Sequence, residues 1–331
     1  MSRSSLQDLG RIVGERRARM AREVRAGLTR TPRSIPPKYF YDERGSKLFD
    51  AICELPEYYL TRAERELLIA HADGIVGDTG ATALVELGSG MARKTGLLVR
   101  ALCARNPSPL YVPFDIARTA LDASARALQA ECPTLRVEGI VGDFGTDLPL
   151  LARGLPPADG PRLFAFLGST IGNLDEEEAP ALVRGVAAAM TEPDALLLGF
   201  DLVKDERALH AAYNDARGVT AEFNRNVLRV VSRELDGDFD ERAFDHLAFY
   251  DANRQRIEMH LVARSSQRVT LRAIDLSFDV AAGERIMTEI SRKFTRETIE
   301  DTLRRGGMRL ERWIVDAGGA FGLAVARKAA V

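Results

Sequence analysis

The stretch VELGSGMARKT, residues 85–95, joins an apolar run to a helical one and carries glycines at 88 and 90 and a lysine at 94. Glycine lets a backbone turn sharply and approach a ligand closely, and the amides of a following helix favour negative charge. Three ligand classes compete for such a loop. A dinucleotide fingerprint GxGxxG needs Gly or Ala at position 93, which is Arg93. A P-loop starting at Gly88 matches Lys94 and Thr95 but again puts Arg93 where glycine belongs. S-adenosylmethionine (SAM) has no phosphates to cradle and needs an acid for its ribose. Asp115 closes the run LYVPFD and can accept from both ribose hydroxyls. Asp143 and Phe144 close LRVEGIVGDF, so a carboxylate can accept from an adenine amine beside an aromatic ring. Each residue alone is weak, since an acid at a strand end is often a helix cap. Together, three successive run ends describe one nucleoside and favour an adenosyl ligand.

These residues need a sheet to position them. From about residue 81 short apolar runs alternate with helical stretches: ALVEL, the helix 95–104, LYVPFD, the helix 117–131, the run 135–144, RLFAFLGS, the helix 176–190 and ALLLGFDLV. That alternation predicts a doubly wound parallel α/β sheet with its ligand at the carboxyl ends of the strands. After Val203 it stops. A polar helix around 204–232, a loop DGDFDERAFDH and strand-like runs at 256–264 and 268–280 read as an α+β insertion. A helix near 296–305 and the runs 309–316 and 319–328 are expected to close the sheet with an antiparallel hairpin. Before the sheet come a first helix, the segment TPRSIPPKYF, extended by its prolines, and helices over 47–55 and 63–76. The expected organisation is a sheet domain of residues 64–202 and 294–331 and a second, discontinuous domain of 1–63 and 203–293, with the substrate in the cleft between them.

The 331 residues carry a net charge of −2, with 46% hydrophobic and 28% charged residues, the balance of an ordinary globular protein. Such neutrality argues against a chain that binds nucleic acid through an overall positive field. Nine arginines against three acids within residues 1–33 read as the solvated face of a surface helix rather than a transit peptide, which would be poor in acids. Cys53, Cys103 and Cys132 are odd in number and far apart, so reduced thiols are expected. The four histidines lack metal-ligand spacing, no metal is expected, and no run is long enough to span a bilayer. The reading is a cytoplasmic monomer acting on a small molecule, with no nucleic-acid or membrane partner.

The segments PPKYFYDERGSKLFD (36–50), LPEYYLTRAE (55–64), ELGSGMARKT (86–95), FDIA (114–117), GDF (142–144), FLGSTIGNL (166–174) and TEISRKF (288–294) resemble the histidine-specific N-alpha-methyltransferases of ergothioneine biosynthesis. The resemblance extends over nearly the whole chain. It implies a Rossmann-like class I SAM methyltransferase sheet with an α+β substrate-binding domain, and conversion of L-histidine to its trimethylated betaine, hercynine. It places the cofactor on Gly88, Gly90, Lys94, Asp115, Asp143 and Phe144; of these only Lys94 is not singled out by the residues themselves. It implies that Gly168 and Asn173 hold the α-amino group and carboxylate of histidine. Tyr213 and Tyr58 would face the carboxylate, Tyr41 and Glu289 would grip the imidazole with Ser291 nearby through water, and Met259 would pack on the ring. Asn173 and Tyr41 are the residues it puts closest to the chemistry. A carboxylate and a phenol can read two ring nitrogens. Periodicity alone would make Tyr41 a packing residue, Glu289 a solvated one and Asn173 a turn residue.

The reaction implied is an in-line displacement at the sulfonium methyl by the amine lone pair, in which alignment is the main catalytic task. The alternative is a SAM-dependent N-methyltransferase for another amino acid or amine, with Glu289 and Met259 as the discriminating positions.

Overall fold

The computed structural model describes residues 3–89, 94–116 and 118–329. Along the chain the elements are α1 (Arg3–Thr29), β1 (Arg33–Ser34), α2 (Glu43–Cys53), α3 (Leu60–Thr79), β2 (Ala83–Leu87), α4 (Thr95–Arg105), β3 (Leu110–Asp115), α5 (Arg118–Glu131), β4 (Arg136–Val137) and β5 (Ile140–Val141). They continue with α6 (Leu148–Gly154), β6 (Arg162–Phe166), α7 (Glu178–Ala189), β7 (Ala195–Asp201), α8 (Glu206–Tyr213), α9 (Val219–Leu235), β8 (Phe244–Asp251) and β9 (Arg256–Ala263). The last are β10 (Gln267–Leu271), β11 (Leu276–Val280), β12 (Arg285–Arg292), α10 (Arg296–Arg305), β13 (Met308–Val315) and β14 (Phe321–Lys328). The chain divides into two units, Leu60–Lys204 with Ser291–Val331, and Met1–Tyr59 with Asp205–Ile290.

The first of these holds an eight-stranded sheet in the order β13-β14-β7-β6-β2-β3-β4, with β5 also on β3. β2, β3, β6 and β7 pair in parallel, and every residue of β2 and β7 is buried, as strands covered on both faces require. β14 lies between β7 and β13 and runs antiparallel to both, so the terminal hairpin does close the sheet. The strand order reverses at β2, which puts the ligand crevice at the carboxyl ends of β2, β3 and β6.

The run 135–144 is not one strand. β4 and β5 share one register on β3, with Val137 opposite Tyr111 and Ile140 opposite Phe114. Between those pairs lies Pro113, whose nitrogen carries no hydrogen, so the ladder lapses there. A second correction concerns the cysteines. Cys103 in the last turn of α4 and Cys132 just after α5 form a disulfide, with Cα atoms 6.6 Å apart. Sequence spacing gives no hint of it, because the ends of two helices separated by 29 residues meet only once the fold has formed. Cys53 takes no part in it.

In the other unit a four-stranded sheet has the order β1-β12-β9-β8, and β10 and β11 form a separate hairpin. The polar helix expected over 204–232 is two helices. Gly218 takes φ +71, and the Asp215 carboxylate accepts the N–H groups of Val219 at 3.0 Å and Thr220 at 2.8 Å, which starts α9 afresh. β8 takes up the end of the expected loop, and β12 is a further strand that the apolar pattern does not announce. The proline segment is extended only through Arg33–Ser34. Pro37 then opens a 3₁₀ turn, Pro37–Phe40, because proline suits a first helical position. α1 buries Met20, Val24 and Leu28 on one side, while Arg17 and Arg25 donate to the carbonyls of Glu234 and Asp275.

Candidate active site

In the sheet unit, Gly88 follows β2 with φ +68 and donates its N–H to the Phe114 carbonyl at 2.8 Å. A Cβ at Gly88 would stand 3.4 Å from the Phe144 ring, so glycine leaves a cradle between the loop and that ring. Gly90 and Arg93 lie outside the described residues. Asp115 ends β3 half-buried, beside Val141 of β5. Asp143 is buried and its Oδ1 accepts the Gly145 N–H at 2.8 Å. Phe144 meets Phe166 edge to face with centroids 5.1 Å apart. A glycine turn without a side chain, an aromatic wall and carboxylates at the next two strand ends fit an adenosyl ligand.

Glu86, one residue before Leu87 in β2, is buried and accepts from the Thr95 hydroxyl and the Tyr111 phenol, both at 2.5 Å. Burial pushes its carboxyl up to about 7, against the pull of those two hydrogen bonds. It therefore staples the start of α4 to β3 beneath the glycine turn.

Lys94 precedes α4, and its ammonium is paired with Glu64 of α3, whose other oxygen accepts the Gly168 N–H at 2.7 Å. Gly168 has φ +75 and Ser169 φ 56, a turn that leads from β6 into the 3₁₀ turn Thr170–Asn173. The Ser169 hydroxyl accepts the Asp201 N–H at 3.0 Å, anchoring that loop to the end of β7. Ser291 is buried and its hydroxyl accepts from Lys293 Nζ at 2.9 Å, while the same ammonium pairs with Asp201 at 2.9 Å.

In the other unit the structure brings four of the sequence-selected residues into one group. Tyr58 and Tyr213 meet edge to face at 6.3 Å, Phe49 touches Tyr58 at 6.3 Å and Tyr41 at 5.5 Å, and Phe223 touches Tyr41 at 5.5 Å. Tyr41 is 38% exposed. Desolvation first, and the Glu289 charge second, hold its phenol well above the usual tyrosine range. Tyr58 is raised in the same way, by burial and then by Tyr213, Cys53, Tyr41 and Glu289. Both phenols are therefore protonated donors near neutral pH.

Two buried asparagines of α9 hold the backbone around this group. Asn226 donates to the Phe40 carbonyl at 3.3 Å and to Asp42 Oδ1 at 2.9 Å, the two neighbours of Tyr41. Asn224 donates to the His260 carbonyl at 3.0 Å and to His246 Nδ1 at 2.9 Å, which assigns the His246 proton to Nε2, 2.9 Å from the Tyr213 carbonyl. Thr288 places its hydroxyl 2.6 Å from Asn224 Oδ1 and 3.1 Å from the Met259 carbonyl. Sequence reasoning missed Glu64, Phe49, Phe223, Asn224 and Asn226. The phenylalanines sit in apolar patterns that read as core, and no local signal marks the other three.

An otherwise parallel doubly wound sheet that takes one antiparallel strand beside β7, with a glycine turn at the end of β2, is built as a class I SAM-dependent methyltransferase. A model of the histidine-specific, SAM-dependent methyltransferases matches residues 20–328. Histidine N-alpha-methyltransferase of Mycobacterium tuberculosis is 46% identical over 309 residues, covering 93% of this chain and 95% of that protein. Its namesake from Mycolicibacterium smegmatis is also 46% identical, over 93% of this chain and 94% of its own length. Ergothioneine biosynthesis protein 1 of Neurospora crassa is 30% identical over 72% of this chain, a match that spans 29% of that longer protein. The chain belongs to the histidine-specific, SAM-dependent methyltransferase family.

Proposed function

We propose that this protein methylates the α-amino nitrogen of L-histidine three times in succession, giving hercynine, as a step toward ergothioneine. The observation that carries the reading is the grouping of Tyr41, Tyr58, Tyr213 and Glu289 in one aromatic, mutually interacting cluster. Three phenols and a carboxylate suit a ligand that has both a carboxylate and an imidazole. An apolar amino acid would offer Tyr41 and Glu289 no polar group to read.

SAM would lie along Gly88, Gly90 and Phe144, with Asp115 on its ribose, Asp143 on its adenine amine and Lys94 on its carboxylate, and when bound it supplies an electrophilic sulfonium methyl. Tyr41 and Glu289 would hold the imidazole, Ser291 acting through water and Met259 packing on the ring. Tyr213 and Tyr58 would donate to the substrate carboxylate, while Gly168 and Asn173 hold its amino-acid end. Asn173 carries both a donor and an acceptor, so it can orient the amine and its growing methyl substituents while the carboxylate stays fixed. The amine must be neutral to attack, and alignment of its lone pair is the principal contribution of these residues.

Among the described residues no helix is long and apolar enough to cross a membrane. We assign the protein to the cytosol, acting as a monomer on a small molecule. Methyl transfer from SAM to each of the common amino acids and their amines in parallel tests the reading: histidine alone should be a substrate at micromolar enzyme. Faster transfer to another amine would move the assignment to the alternative substrate class.

A further inference from the structure

Glu64, in the second turn of α3, is a fully buried carboxylate with a place prepared for it. In β7 a Cβ at Gly199 would collide with its Oε1. Glycine inside a buried strand gives up packing and costs backbone entropy, so the missing side chain there makes room for the acid. Oε1 accepts the Gly168 N–H at 2.7 Å and Oε2 pairs with the Lys94 ammonium. A Cβ at Gly168 would itself stand 3.4 Å from Lys94 Nζ, so lysine, carboxylate and glycine turn converge on one point. A buried charge is costly unless it is paired and hydrogen-bonded. Here the two groups that satisfy it belong to different halves of the site: the lysine assigned to the cofactor carboxylate and the glycine assigned to the amino-acid end of the substrate.

We propose that Glu64 is a positioning residue that couples cofactor binding to histidine binding, an inference that rests on the roles given above to Lys94 and Gly168. An ammonium has three protons. Lys94 can give one to Glu64 and direct another at a ligand carboxylate at the same time. A carboxylate bound there fixes the ammonium, the ammonium fixes Glu64, and Oε1 fixes the N–H of a glycine held at positive φ. Histidine then meets a turn that is already ordered. The coupling is reciprocal, because each ligand changes the affinity of the other by one common factor.

Calorimetric titration with S-adenosylhomocysteine, which keeps the carboxylate but has no methyl to transfer, and with L-histidine measures that factor. Each ligand is titrated alone and in the presence of the other at saturation. In the wild type each should tighten the other about tenfold, by the same factor in both orders. Glu64→Gln keeps an acceptor for Gly168 but removes the charge facing Lys94, and the factor should fall to within about twofold of unity. Gly199→Ala displaces the carboxylate without removing it and should also lower the factor; it replaces Glu64→Gln if thermal unfolding shows that variant to be unfolded. Two ligands that bind the wild type independently, or a factor undiminished in the variants, would overturn the proposal alone. A wild type that binds S-adenosylhomocysteine but never histidine would overturn the functional reading, and the proposal with it.

Discussion

The side-chain amide of Asn224 accepts the hydroxyl of Thr288 at 2.6 Å, and Thr288 directly precedes Glu289. The same asparagine reaches the Tyr213 carbonyl through His246, so one buried side chain on α9 sets the backbone at both ends of the proposed histidine pocket. Asn224→Asp keeps the shape but replaces two donated hydrogen bonds with lone pairs facing the His260 carbonyl and His246 Nδ1. Leaving buried groups unsatisfied costs about 1–3 kcal/mol each. The KM for histidine should rise roughly tenfold or more, while the affinity for S-adenosylhomocysteine stays within about twofold; calorimetry and steady-state kinetics give both. Equal loss of both affinities would make Asn224 a residue of general stability.

Glu289 and Tyr41 carry the side-chain specificity in this account. Glu289→Gln removes the charge and keeps the shape, and Tyr41→Phe removes only the hydroxyl. Each should lower kcat/KM for histidine by about ten- to a thousandfold, as the loss of one polar contact to a substrate does. Cofactor binding should be untouched. Retention of full histidine selectivity by Glu289→Gln would mean that other groups read the imidazole.

Glu86 gives the protein a measurable pH dependence. Its folded carboxyl titrates at about 7 because it is buried, against about 4.3 in an unfolded chain. The folded state therefore holds a proton that the unfolded state lacks between those values, and this group's contribution to stability declines as pH rises through that window, then levels off. Glu86→Gln has no such proton. Relative to wild type, its stability in urea melts should improve by about 2–4 kcal/mol between pH 4.5 and pH 8. A difference that does not change with pH would show the carboxyl to be ionised throughout.

The strands that carry the cofactor residues are legible because each motif is local: ALVEL and LYVPFD are bounded in the structure where their apolar runs break. The interruption between β4 and β5 is also written in the sequence, but on the partner strand, at Pro113. Glu64 reads as one charge among several on an amphipathic helix, and its burial depends on Gly168, 104 residues away. Asn224 likewise meets Thr288 across 64 residues. β12 was missed because its buried positions include Thr288 and Ser291, which an apolar pattern cannot count. The disulfide between Cys103 and Cys132 needs the packed ends of α4 and α5. Lys94, Tyr41 and Glu289 were picked out by family resemblance, since a lysine in a first turn, a tyrosine in a proline-rich arm and an acid on a strand have no local signature of ligand contact.

The central claim is that one bound amino acid, L-histidine, is methylated to completion on its α-nitrogen. Mass spectrometry of L-histidine incubated with the purified protein and excess SAM follows this directly, with fragmentation locating the added groups. The account predicts mono- and dimethyl species that rise and decay into a single trimethylated product, with all three methyls on the α-nitrogen and none on the ring. Accumulation of monomethylhistidine at long times, methyl groups on the imidazole, or unmodified histidine beside a methylated different amine would contradict it.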